Sequence, residues 1–98
     1  MAKQINKNYS IILADANTLI EGISTADITV TIPLAKTVPF KLGDVVTFTQ
    51  NGSGAIIFKG ATGVVIDSFS GTKTAGKNAI ISLLNKNTNI WHITGNLK

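Results

Sequence analysis

The segment Ile28-Thr29-Val30-Thr31-Ile32-Pro33 constrains this chain more than any other stretch. Apolar and hydroxyl side chains alternate with period two, the pattern of a half-buried strand with Ile28, Val30 and Ile32 inward and Thr29 and Thr31 outward. Pro33 ends it, because proline has no N–H to donate to the next ladder position. The rest of the chain repeats the scheme of short strand, Gly/Asn/Ser/Asp turn, short strand. Candidate strands fall at 9–13, 18–21, 28–32, 45–50, 55–59, 64–67, 79–85 and 89–94. Turn signals spaced roughly 8–12 residues apart predict an all-β fold, a small antiparallel β-sandwich or barrel of about eight short strands. No window has the 3.6-residue period of a helix longer than about two turns.

Local turn chemistry supports hairpins. Asn51-Gly52-Ser53-Gly54 predicts a primed turn joining the strands at 45–50 and 55–59, since Asn-Gly accepts positive φ. Lys86-Asn87-Thr88 centres a second hairpin. Between Pro33 and Gly43 the chain is irregular, and Phe40 and Leu42 are expected to tuck beneath it. Residues 1–8 (MAKQINKN) read as an N-terminal arm, dispensable for folding, preceding a single β domain at 9–98. With only Ile5 as a large apolar residue after Met1, the arm reads first as a frayed terminus and otherwise as a segment that orders on a partner.

Composition then bears on association. The chain has 98 residues, 44% of them apolar and only 14% charged, against about 25% charged in ordinary soluble domains. Two strands are apolar on both faces. In 79–85, Ile80 and Leu84 oppose Ile81 and Leu83; in 55–59, Ile57 opposes Ile56 and Phe58. A strand apolar on both faces is covered on both. Ile80, Ile81, Leu83, Leu84 and Ile57 are therefore candidates for an interface between copies of the chain, and the alternation leaves open which face is the shared one.

Net charge is +4, from nine lysines and no arginine. Arginine is the usual bidentate reader of bases and phosphates, and these lysines are dispersed, so no nucleic-acid partner is expected. No run of about eighteen apolar residues exists to insert in a membrane, and residues 1–8 lack the apolar core of a signal peptide. The chain contains no cysteine, so neither a disulfide nor a thiolate nucleophile is available.

Chemistry-bearing residues are sparse. His92 is the single histidine and has no evident nucleophile or orienting carboxylate. Asp15, Glu21, Asp27, Asp44 and Asp67 fall mainly at turns, where aspartate is expected. Gly71 to Lys77 has the GxxxxGK spacing, but Asn78 stands where a hydroxyl residue would hold a metal, and a strand rather than a helix follows. No catalytic residue, cofactor or metal site is predicted, and the chain is not expected to be an enzyme. Trp91 and Tyr9 are candidate glycan contacts, which makes a carbohydrate-binding module the alternative function; the inward slot of a strand is the other home for Trp91.

In order and spacing the chain resembles a small domain found at the C-terminus of bacteriophage tail-fibre and virion-surface proteins. The matching features run from about Tyr9 to Leu97. They are Leu13-Ala14-Asp15-Ala16-Asn17 with Leu19-Ile20-Glu21-Gly22, the Ile28 to Pro33 strand, Phe40-Lys41-Leu42-Gly43-Asp44 with Val45-Val46-Thr47-Phe48, Gln50-Asn51-Gly52-Ser53-Gly54, Ile66-Asp67-Ser68 with Gly76, and Trp91-His92-Ile93-Thr94-Gly95-Asn96-Leu97. The resemblance implies a non-enzymatic structural virion protein, commonly a homotrimer, at the virion surface. It also implies contact with other virion proteins and with a host-surface glycan during host attachment. Because Met1 stands only eight residues before the domain, a free-standing copy is expected, either a capsid decoration protein or part of a head, collar or tail fibre, held through residues 1–8.

Overall fold

The structure is a computed structural model that describes residues 2–98. Nine strands form: β1 (Lys3–Ile5), β2 (Tyr9–Ser10), β3 (Leu19–Gly22), β4 (Ile28–Ile32), β5 (Val45–Gln50), β6 (Ile56–Gly60), β7 (Val65–Ser68), β8 (Ile80–Asn87) and β9 (Ile90–Gly95). Among the described residues the one helical element is a single 3-10 turn, Leu13–Asp15. The strands build a six-stranded sheet, ordered β1-β3-β5-β8-β9-β7, and a three-stranded sheet, ordered β2-β4-β6.

This topology corrects the expected antiparallel sandwich or barrel. Five of the seven strand pairings are parallel, and only β5–β8 and β8–β9 are antiparallel. From β1 to β6 the chain alternates between the sheets, odd strands in the larger and even strands in the smaller. Parallel neighbours need a crossover connection. In α/β domains that connection is a helix; here, for the pairs among β1 to β6, it is a strand of the opposite sheet, and β7 reaches its parallel partner β9 through β8 of the same sheet, so the connectivity is the crossover kind with nearly no helix.

The winding is regular in its last full turn. Leu19 pairs with Thr47 and Ile28 with Ile56, both offsets of 28 residues (47 − 19 and 56 − 28), so the corner between the sheets has the same length in each layer. Corners stack directly: the N–H groups of Asn51 and Gly52 donate to Gly22 O at 2.8 and 3.0 Å, and Gly54 N–H donates to Ser24 O at 2.9 Å. The Asn51 to Gly54 segment is therefore a corner between sheets and not the expected hairpin turn. Its glycines do not have positive φ. They are required because a Cβ at Gly52 or Gly54 would run into the Ser24 or Ala26 carbonyl of the layer beside it.

The core lies between the two sheets. Inward residues Ile20, Val46, Phe48, Ile81, Leu83, Trp91 and Ile93 of the larger sheet meet Ile28, Val30, Ile32, Ile56 and Phe58 of the smaller. Phe48 and Phe58 meet edge to face across the gap, centroids 5.1 Å apart, a favoured aromatic geometry. Ile28–Ile32 alternates buried and half-buried as its sequence dictates. Phe40 covers Trp91 edge to face at 5.1 Å, whereas Leu42, expected to tuck inward, is exposed.

The segment expected as an arm carries an edge strand. β1 pairs in parallel with β3, Ile5 is buried, and Asn8 Oδ1 accepts from Thr29 N–H at 2.8 Å. Met1 lies outside the described residues.

Candidate functional site

Strand alternation leaves the larger sheet with two faces, one against the core and one bare. On the bare face, register aligns Leu19, Thr47, Ser82 and Thr94 in one row across β3, β5, β8 and β9. Val45, Leu84, His92 and Asp67 form the next row, across β5, β8, β9 and β7. Thr49 and Ile80 face each other on the far side of the first row. Within β5, β8 up to Leu84, and β9, this face contains no lysine, aspartate or glutamate. Charge sits at the margins, in Glu21 and in the Asp67–Lys86 ion pair at 2.7 Å.

Four exposed aliphatic side chains stand on this face beside the half-buried Val45: Leu19, Ile80, Leu84 and Val65, the first 37% and the second 55% exposed. Between β3 and β5 it holds an open depression of about 470 Å³, lined by Asn17, Thr18, Leu19, Val45 and Thr47. The smaller sheet's outer face differs, presenting Thr29, Thr31 and Lys59. Largely parallel sheets are ordinarily covered on both faces, and among the described residues no element packs over the larger sheet's outer one.

The structure resolves which interface candidates remain available. Ile81 and Leu83 are fully buried in the chain's own core, because they point between the sheets, and cannot serve an interface. Ile80 and Leu84 point outward and are accessible. Ile57 is half-buried on the other sheet, where Lys73 bridges its strand edge. Trp91, 2% exposed beneath Phe40, cannot stack on a sugar.

Tyr9 is half-buried and its hydroxyl is engaged. It donates to Asp15 Oδ2 at 2.5 Å and accepts from Lys3 Nζ at 2.7 Å. Asp15 is buried and receives two further donors, Lys3 Nζ on Oδ1 at 2.8 Å and Ile12 N–H on Oδ2 at 2.9 Å. These hydrogen bonds tie β1, β2 and the 3-10 turn together. The Asp15 bond is the main cause holding the Lys3 ammonium above its ordinary pKa, and the Tyr9 bond adds to it. Burial, then the Asp15 bond, raises the Tyr9 phenol.

The other carboxylates also have structural work. Asp44 accepts from Lys41 N–H and Asn17 Nδ2, and Asp27 from Ala55 N–H. Glu21 accepts from Asn51 Nδ2 and Gln4 Nε2. Lys86 holds Asp67 below the usual carboxylate range. Among the described residues no group of three or more His, Asp or Glu side chains is placed to hold a metal ion. In the glycine loop the N–H groups of Ala75, Asn78 and Ala79 donate to Asn96 O, Gln50 O and Gly76 O, so they do not form a phosphate cradle. No described helix is long and apolar enough to cross a membrane.

Sequence reasoning missed Leu19, Val45 and Phe69 as surface features. Phe69 is 99% exposed, directly after β7, in a turn closed by mutual hydrogen bonds of Ser68 and Gly71. A lone phenylalanine in the otherwise polar run Ser68-Phe69-Ser70-Gly71-Thr72-Lys73 was its signal. No protein-family model, curated protein or solved structure matches the chain.

Proposed function

We propose that this chain is a non-catalytic structural component of a bacteriophage virion surface that works by associating with further copies of itself. The observation that carries this reading is the bare outer face of the larger sheet, with β5, β9 and β8 up to Leu84 free of charge and Ile80, Leu84 and Leu19 exposed on it. The total accessible surface, 5266 Å², is close to the roughly 5,350 Å² expected of a folded monomer of this mass. The chain is thus fully collapsed, and what is unusual is the composition of one face, not the amount of surface. The virion assignment rests on the resemblance of the Leu13 to Gly22, Ile28 to Pro33 and Trp91 to Leu97 segments to tail-fibre and virion-surface domains. Attachment to other virion proteins through the N-terminal residues belongs to the same reading, with β1 as an edge strand open to a partner.

The test is the composition of purified particles. Antibody labelling of intact virions, with quantitative mass spectrometry, should find the chain at the particle surface in a fixed copy number. Its absence from purified virions that assemble while the chain is being made would contradict the proposal.

A further inference from the structure

We infer that the larger sheet's outer face packs on the same face of a second copy, with Phe69 of each chain seated in the Leu19–Val45–Thr47 depression of the other. This rests on the self-association reading above and specifies its contact. Three observations lead to it.

First, Phe69 is fully exposed yet held in place. Its turn is closed by Ser68 and Gly71, and Gly71, at φ +117, lies against the Lys98 backbone, where a Cβ would collide. An aromatic anchor presented on a fixed turn loses little freedom on binding, and aromatic side chains dominate interface hot spots.

Second, knob and depression share a level on one sheet. Ser68 pairs with Ile93, the last pair of that ladder, and the chain bends away at Phe69, next to the row Thr94, Ser82, Thr47, Leu19. Phe69 lies at the β7 edge, and the depression lies between β3 and β5. β8 runs midway between them in the order β3-β5-β8-β9-β7. A two-fold axis along β8 carries the knob of each copy onto the depression of the other. It also stacks Ile80, Ser82 and Leu84 of the two chains, and it keeps the strand directions aligned as stacked sheets prefer. Both contacts form at once, as an isologous interface requires.

Third, the area suffices. Five strands about 4.8 Å apart and about 20 Å long give a footprint near 400 Å². Phe69 adds about 150–250 Å². The sum, about 600 Å² per copy and about 1,200 Å² for the pair, exceeds the roughly 1,000 Å² of a specific interface. Charge is confined to the margins of this footprint, in Glu21 and in the Asp67–Lys86 pair, so few ions lose water at its centre.

The experiment is sedimentation equilibrium on the full chain and three variants, with circular dichroism to confirm folding. Wild type should associate as a dimer. Phe69→Asp and Val45→Arg should each weaken dimerisation about a hundredfold or more, since each removes two symmetry-related anchors worth about tenfold apiece. Phe69→Tyr should retain it. Mixing Phe69→Asp with Val45→Arg should produce a heterodimer tighter than either homodimer, because one knob and one depression remain intact in that pair; misfolding cannot mimic such a gain. If wild type associates but Phe69→Asp and Val45→Arg associate equally well, or if the mixture gains nothing, the inference is overturned while the self-association reading stands. If wild type stays monomeric to millimolar concentration, both fall.

Discussion

Replacing Asp15 with alanine should destabilise the fold more than any other carboxylate substitution. Asp15 is 2% exposed and accepts from Tyr9 Oη, Lys3 Nζ and Ile12 N–H. The pair with Lys3 adds little, because Lys3 is 39% exposed and a screened pair contributes about 1 kcal/mol or less. The larger losses are the Ile12 N–H, left without an acceptor, and the Tyr9 hydroxyl, whose charged acceptor disappears. Ile12 is 46% exposed, so its freed N–H can turn to water and its loss is about 0.5–1.5 kcal/mol, whereas a bond to a charged group is worth about 1.5–3 kcal/mol. Allowing for rehydration of Tyr9, the total is about 2–4 kcal/mol, a fall in Tm of roughly 10–25 °C for a domain of this size. Urea unfolding followed by fluorescence of Trp91, the single buried tryptophan, measures it directly. Lys3→Met should cost about 1 kcal/mol or less. A change below about 0.5 kcal/mol for Asp15→Ala, or an equal loss for Lys3→Met, would refute this division of the cluster.

The same cluster sets an alkaline limit. Lys3 and Tyr9 both have folded pKa values raised from 10.5 and 10.0. Their contribution is therefore complete below pH 10 and lost as pH rises through the folded values. Unfolding free energy measured from pH 8 upward should decline above about pH 10, more steeply in wild type than in Asp15→Ala. Removing residues 2–8 deletes β1, with buried Ile5, and should cost about 3 kcal/mol or more from apolar burial and the lost cluster; an unchanged Tm would show that β1 is not part of the folded unit. Gly54→Ala should cost about 1–3 kcal/mol through overpacking against the Ala26 carbonyl, whereas Gly76→Ala, with open space around it, should be nearly neutral by thermal melt. Asp67 is held low by Lys86, so its share of stability is present above pH 3.8 and lost as pH falls through the folded value; in Lys86→Met its carboxyl titration, followed by NMR, should move up.

Most strand positions were legible in the sequence, with β1 missed and the expected 9–13 strand reduced to Tyr9–Ser10 ahead of the 3-10 turn, and strand partners were not. The Ile28–Ile32 and Val45–Gln50 strands stand where alternation places them, because period two reports which side chains meet the core. It does not report which strand lies alongside. The hairpin expected around Lys86-Asn87-Thr88 forms, with its turn at Thr88-Asn89 between the antiparallel β8 and β9, and the hairpin rule failed at Asn51 to Gly54. There the same residue types served close backbone approach between stacked corners. The 28-residue repeat behind the parallel pairing is invisible to inspection: across the fourteen aligned positions from Leu19/Thr47 to Ile32/Gly60, only Ile28 and Ile56 are identical. What repeats is corner length and inward apolar spacing. For the surface, the two-sided pattern of 79–85 falls on β8, where burial assigns Ile81 and Leu83 to the core and Ile80 and Leu84 to solvent. The Asp15 cluster was illegible because its members come from three separate local elements.

The most direct test of the covered-face account is an isotope-filtered NMR experiment on a mixed sample. One chain carries protonated phenylalanine rings; the other carries labelled Leu and Val methyls in a deuterated background. The account predicts intermolecular cross-peaks from Phe69 ring protons to Leu19 and Val45 methyls, and none to Leu83, which is buried in its own core. Absence of any intermolecular cross-peak at millimolar concentration, or cross-peaks that bypass Leu19 and Val45, would contradict it.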